Sequence, residues 1–214
     1  MIEIGPGRGA LTEKLLKRAA RVVAIELDSR LVEHLQRKFG GDERLTIVHE
    51  NVLDADLAQW GQAPIVGNLP YYITSPILEK AARLQAPRAV FLIQKEVAER
   101  LVAQPGVRDY GFLTVQIGLW AQSRLLFEVK PSAFHPPPKV DSAVVLLEPR
   151  ALLGGIDDPA AFLQFVGQCF RHKRKTIRNN LDIEGVADWP EAGLRAEQLS
   201  LEQFVAIYRR VQRT

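Results

Sequence analysis

The chain has 214 residues, 47% of them apolar and 25% charged, with a formal net charge of +3. That is enough to bury a full core and to build one domain with a small appendage, while so mild a charge gives no ground by itself for a polyanionic partner. No apolar run approaches the roughly 18 residues of a membrane span and no signal-peptide pattern opens the chain, so a cytoplasmic protein without a membrane partner is expected. The single cysteine, Cys169, excludes an internal disulfide, and His34, His49, His135 and His172 lack ligand spacing, so no metal is expected.

Strand-like runs and amphipathic stretches alternate up to about residue 148. Met1–Ile4, Arg21–Ile25, Leu45–His49, Pro64–Val66 and Ala89–Ile93 are predicted strands, and Leu11–Arg18, Ser29–Phe39, Pro76–Leu84 and Lys95–Ala103 carry apolar residues at helical spacing. Ser29 is the expected N-cap of the second helix. Leu125–Val129 and Ala143–Leu147 read as two late strands around a proline-rich connection. The alternation predicts an α/β fold of the Rossmann-like type, a seven-stranded, mostly parallel sheet covered by helices. Beyond it, Asp158-Pro159 opens a long predicted helix reaching about Leu181, and Ser200-Leu201-Glu202-Gln203 reads as a capping box for a last helix. The expected division is residues 1–148 for the sheet domain and 149–214 for a small all-α domain.

Glu3-Ile4-Gly5-Pro6-Gly7-Arg8-Gly9 links the first strand to the first helix. Its glycines let backbone approach a ligand, which suits a dinucleotide, a nucleoside or merely a tight turn. Glu26, ending the second strand, offers a carboxylate to ribose hydroxyls. The spacing is G-x-G-x-G rather than the dinucleotide G-x-G-x-x-G, and Glu3 stands where it can meet an ammonium. Both features favour S-adenosylmethionine over a nicotinamide. Asp54, after the third strand, is either a helix N-cap or an acceptor for an adenine amino group.

Asn68-Leu69-Pro70-Tyr71 follows the fourth strand, across the expected switch point from the glycines. In isolation it suits an ordinary loop as well as a catalytic one. In this position it suits methylation of adenine N6, a poor nucleophile whose lone pair must be aimed. The amide oxygen of Asn68 and the carbonyl of Leu69 can accept both N6 hydrogens, Pro70 stiffens the turn, and Tyr71 offers a ring for an extruded base. Phe134, before His135-Pro136-Pro137-Pro138, is a candidate second aromatic wall, or else a core residue.

These residues resemble the ribosomal RNA adenine dimethyltransferases. Glu3–Gly9, Val23–Asp28, Asn51–Asp54 and Asn68–Tyr71 are similar to that family's cofactor and catalytic motifs, as are Gln94–Leu101 and Phe134–Val145. The resemblance implies a class I methyltransferase using S-adenosylmethionine, with Glu3, Gly5, Gly7, Glu26, Leu27, Asp54 and Asn68 at the cofactor. Phe170–Leu181 resembles the C-terminal domain of the bacterial small-subunit (KsgA/RsmA) branch. That implies two adjacent adenosines in a hairpin near the 3′ end of 16S rRNA as substrate, in a 30S or pre-30S particle, with a monomeric enzyme. It also gives Arg171, Lys173, Arg174, Lys175 and Arg178 the task of holding RNA phosphates, although each alone is equally a solvated helix residue. Family members carry a Gln-Asn/His-Phe-Leu segment ahead of the first strand, where this chain starts at Met1. An N-terminally truncated protein with weak cofactor binding is therefore expected. An Erm-type methyltransferase of large-subunit RNA and a non-catalytic ribosome-assembly factor are the alternatives.

Overall fold

The structure is a computed structural model that describes residues 1–154, 156–181 and 183–212. In chain order the elements are β1 (Ile2–Ile4), α1 (Ala10–Leu16), β2 (Val22–Glu26), α2 (Ser29–Phe39), β3 (Leu45–His49), β4 (Ile65–Asn68), α3 (Thr74–Arg83), β5 (Ala89–Gln94) and α4 (Lys95–Val102). They continue as α5 (Phe112–Gly118), β6 (Ala121–Val129), β7 (Ser142–Pro149), α6 (Pro159–Cys169), α7 (Ile177–Asn180) and α8 (Leu201–Val211). The chain forms two compact units, Met1–Ala98 with Ala121–Pro149, and Glu99–Trp120 with Arg150–Thr214.

The first unit is a seven-stranded sheet in the order β3-β2-β1-β4-β5-β7-β6. The pairs among β1 to β5 are parallel, while β7 runs antiparallel to both β5 and β6, as a mostly parallel sheet closed by a hairpin requires. All three residues of β1 are buried, as befits a strand covered on both faces, whereas β5 alternates buried and half-buried residues. Chain order reverses at β1, whose neighbours are β2 on one side and β4 on the other, and such a switch opens a crevice at the carboxyl ends of the strands. Gly67 makes the β1–β4 approach possible. A Cβ there would stand 2.6 Å from the Ile4 carbonyl oxygen.

Local chemistry corrects two expected boundaries. Asp28, not Ser29, caps α2: its backbone is extended and its carboxylate accepts the Arg30 N–H at 2.9 Å. α3 starts at Thr74 rather than Pro76, since a proline in the first turn removes only an N–H that has no helical partner.

The second unit is helical and packs Phe162, Cys169, Ile177, Leu199, Phe204 and Ile207 into one core with Val115 and Leu119. Tyr208 meets Phe162 edge-on at 5.3 Å and Phe165 at 5.5 Å. Because α5 supplies Val115 to this core, Glu99–Trp120 clusters with the C-terminal helices, and the expected division at 148/149 misses that segment. Capping at Asp158 and at Ser200 is as expected: Asp158 accepts from Ala160 and Ala161, and Ser200 exchanges bonds with Gln203. The single helix expected from 158 to about 181 is instead broken. α6 ends at Cys169, a loop follows, and Thr176 pairs with Arg195 in an isolated bridge before the short α7. The Asn180 side chain accepts from His172 N–H and donates to the His172 and Lys175 carbonyls, holding the basic loop out of helical conformation.

Candidate functional site: a cofactor crevice and a basic depression

In the first unit, the glycine turn leaves β1 with Gly5 and Gly7 at φ 65° and 57°, conformations that a side chain would strain. A Cβ on Gly5 would lie 3.6 Å from the Asn68 backbone oxygen, and one on Gly7 would meet nothing within 4 Å, so the turn is both close to the end of β4 and open in front. Gly7 N–H donates to Glu26 Oε2 at 3.1 Å, while Leu27 and Asp28 N–H donate to Oε1 at 2.9 and 3.0 Å. A carboxylate has about four acceptor directions. One direction on Oε2 is left for a ligand hydroxyl.

Glu3 is only 1% exposed, and its Oε2 is buried without a hydrogen-bond partner. Burial pushes its carboxyl above the ordinary carboxylate range, offset in part by Thr12. A buried carboxylate with one oxygen left unpartnered, two residues before an open glycine turn, fits a cationic ligand group, and the ammonium of a methionine moiety is one. Leu27 adds an apolar surface 56% exposed, its carbonyl held 3.1 Å from His49 Nε2. Asp54 is exposed, and its Oδ2 accepts from Asn51 Nδ2 at 2.8 Å. It caps no helix, so the N-cap alternative falls. These residues fit S-adenosylmethionine.

At the reaction turn, Asn68 ends β4 with an exposed side chain, and Leu69 N–H donates to the Leu92 carbonyl at 3.0 Å. The Pro70 carbonyl receives Thr74 Oγ1 at 3.0 Å and Ile73 N–H at 3.2 Å. Those bonds occupy the Pro70 oxygen and so favour the Leu69 carbonyl as the backbone acceptor for a substrate. The Tyr71 hydroxyl lies 3.2 Å from Ser142 Oγ on β7, which fixes a ring still 39% exposed. Phe134, half-buried, stands in the β6–β7 connection. Sequence reasoning missed Gly67, Thr74 and Ser142. Only the small residues at Gly67 and Thr74, flanking Asn68–Tyr71, could have drawn notice.

In the second unit, Lys173 and Arg174 line a surface depression of about 400 Å³ together with Gly106, Val107, Arg108, Arg195 and Glu197. Arg108 and Arg195, distant in sequence from the basic run, were not anticipated. The backbone explains their arrival: Gly106 N–H donates to the Glu197 carbonyl at 2.8 Å, and Thr176 bridges to Arg195. Arg171 and Lys175 stand exposed on the loop and Arg178 on α7, so the cluster is a loop surface rather than a helix face.

The sheet order, the glycine turn and the Asn68 turn at the switch point together define a Rossmann-like, S-adenosylmethionine-dependent methyltransferase. Comparison with known proteins carries this further. The family model described as ribosomal RNA adenine dimethylase matches residues 1–213, and the chain belongs to that family. It is 42% identical to the ribosomal RNA small subunit methyltransferase A of Acidobacterium capsulatum, over 98% of this chain and 80% of that protein. It is 39% identical to the protein of the same name from Thermotoga maritima, over 100% and 75%. Among solved structures, a dimethyladenosine transferase from Plasmodium falciparum shares the fold, with a TM-score of 0.81 at 24% identity over 99% of this chain and 89% of that one. The 23S rRNA methyltransferase ErmE matches with a TM-score of 0.68 at 29% identity, over 96% and 88%.

Proposed function

We propose that this chain transfers methyl groups from S-adenosylmethionine to N6 of two adjacent adenosines in a hairpin near the 3′ end of small-subunit rRNA. The product is N6,N6-dimethyladenosine, made on a 30S or pre-30S particle in the cytoplasm by a monomer. The observation that carries this reading is the approach of Gly5 to Asn68, which sets the cofactor turn beside the reaction turn at the switch point. S-adenosylmethionine supplies an electrophilic methyl group. Asn68 and the Leu69 carbonyl accept the two N6 hydrogens and aim the nitrogen lone pair along the line of transfer. Tyr71, pinned by Ser142, stacks against the base, and Phe134 forms the opposite wall. No general base is needed, because the proton leaves to water after the N–C bond has formed. Proximity and orientation supply most of the rate.

Small-subunit rRNA is favoured over large-subunit rRNA by the relatives, since those at 39–42% identity are named for the small subunit and ErmE stands at 29%. Mass mapping of methylated adenosines after reaction with unmethylated small and large subunits tests the assignment. Methylation confined to the large subunit would replace it with the Erm-type reading. In the same assay Asn68→Ala should lower transfer by about 10²–10³-fold while particle binding persists, as for loss of one oriented acceptor. Undiminished transfer would refute the mechanism, and binding without transfer by the unaltered chain would point to an assembly factor.

A further inference from the structure

Lys80 lies outside every motif singled out in the sequence, yet its ammonium makes two bonds to one loop of the cofactor crevice. Its Nζ donates to the Leu53 carbonyl at 2.7 Å and to the Ala55 carbonyl at 2.5 Å. These carbonyls belong to the residues on either side of Asp54. The loop is otherwise held from within: Asp54 and Ala55 N–H donate to the Asn51 carbonyl at 2.9 and 3.0 Å, and Leu53 N–H donates to Asn51 Oδ1 at 3.1 Å. Ala55 is buried and Asp54 is exposed, so the backbone is gripped while the carboxylate faces outward.

The helix that carries Lys80 also starts at the reaction turn. Thr74, the first residue of α3, donates its hydroxyl to the Pro70 carbonyl at 3.0 Å. Lys80 lies six residues after Thr74 along α3, a rise of about 9 Å. One rigid segment therefore ties the turn that bears Asn68 to the loop that bears Asp54.

We infer that Lys80 is a positioning residue for the cofactor's adenine: it fixes Asp54 at the distance from Asn68 at which its carboxylate accepts the adenine 6-amino group. This rests on the reading of Asp54 as the adenine acceptor. A methionine at position 80 keeps the aliphatic stem and removes both donors, which frees the loop to relax. Arginine keeps a charged donor and restores part of the clamp.

The test is calorimetric binding of S-adenosylhomocysteine and its 6-deamino analogue, which differ only in the amino group or hydrogen at C6 of the base. The unaltered protein should prefer the adenine ligand, since only the amino group donates a hydrogen bond to the carboxylate. Asp54→Ala should abolish the preference. Lys80→Met should reduce it roughly tenfold and Lys80→Arg should recover much of that loss. A preference unchanged in Lys80→Met but lost in Asp54→Ala overturns the role of Lys80 and leaves Asp54 in place. Equal weakening of both ligands in Lys80→Met also overturns it, because the lysine would then be merely structural. A preference retained in Asp54→Ala overturns the underlying reading instead. Should Lys80→Met fail to fold, Lys80→Gln, with a neutral amide on a shorter stem, gives the same comparison.

Discussion

Glu3 is a buried carboxyl to which the fold offers Thr12 while its Oε2 has no hydrogen-bond partner. Its folded-state pKa lies above the unfolded value of about 4.3 because burial penalises the charge. Below the unfolded value both states are protonated and the cofactor-free fold bears no cost. As pH rises from there, the unfolded chain ionises first, and stability falls until the folded-state pKa has been passed. Thermal melts of the cofactor-free protein should therefore show Glu3→Gln gaining on the unaltered chain as pH increases from about 4 towards 7. A gap independent of pH would contradict this linkage. The same substitution should weaken S-adenosylmethionine binding by about tenfold at neutral pH, measured by calorimetry, since it removes the partner proposed for the ammonium. A stabilising change that impairs binding is what a functional carboxylate predicts and a structural one does not. The motif residues could be picked out in the sequence because the chemistry proposed for them is local: glycines for close backbone, a carboxylate for a cation, an amide for N6. Lys80, Thr74 and Ser142 were not legible, since each matters through a partner that only the fold brings near.

At the scale of elements, Gly67 controls how closely β4 lies against β1. Gly67→Ala would thrust a methyl group against the Ile4 carbonyl, with Leu69 Cδ2 at 3.1 Å on another side. The expected cost is about 1–3 kcal/mol, as for overpacking a core. It should appear as a lower urea midpoint together with slower methyl transfer, because the displaced strands carry the glycine turn and Asn68. An unchanged midpoint would mean that the two strands have room to spare. The parallel strands were readable from their β-branched runs, and α2 from its apolar stripe. α6 was extended too far because Lys and Arg are good helix formers, so propensity carried the reading through a loop that Asn180 and the Thr176–Arg195 bridge hold open. α5 went unread because its apolar run shows no solvent face, and its partners lie in the C-terminal helices.

For the whole molecule, three separated stretches supply the basic depression, so its charge has the geometry of a surface and not of a run. Reversing Arg108 or Arg195 to Glu should weaken RNA binding measured by filter retention. It should also lower the slope of log affinity against log salt by about 1 for each phosphate that is no longer neutralised. A salt slope that responds to Arg171 and Lys175 but not to these two would confine recognition to the loop. Cys169 reports on the same unit: it is fully buried and burial pushes its thiol up to about 12. Thiol reagents should label it only as the helical unit opens, and bound RNA should slow that labelling.

The position of β1 in the middle of the sheet also bears on how the protein is made. β1, β2 and β3 are all synthesised by residue 49, and they can pair among themselves while β1 still offers an open edge. That edge waits for Ile65–Asn68, the strand that ends in the reaction turn. The same docking event thus covers the β1 edge and brings Asn68 beside the glycine turn, so the crevice is created at the step that encloses the central strand, while the open edge passes to β4 until β5 arrives.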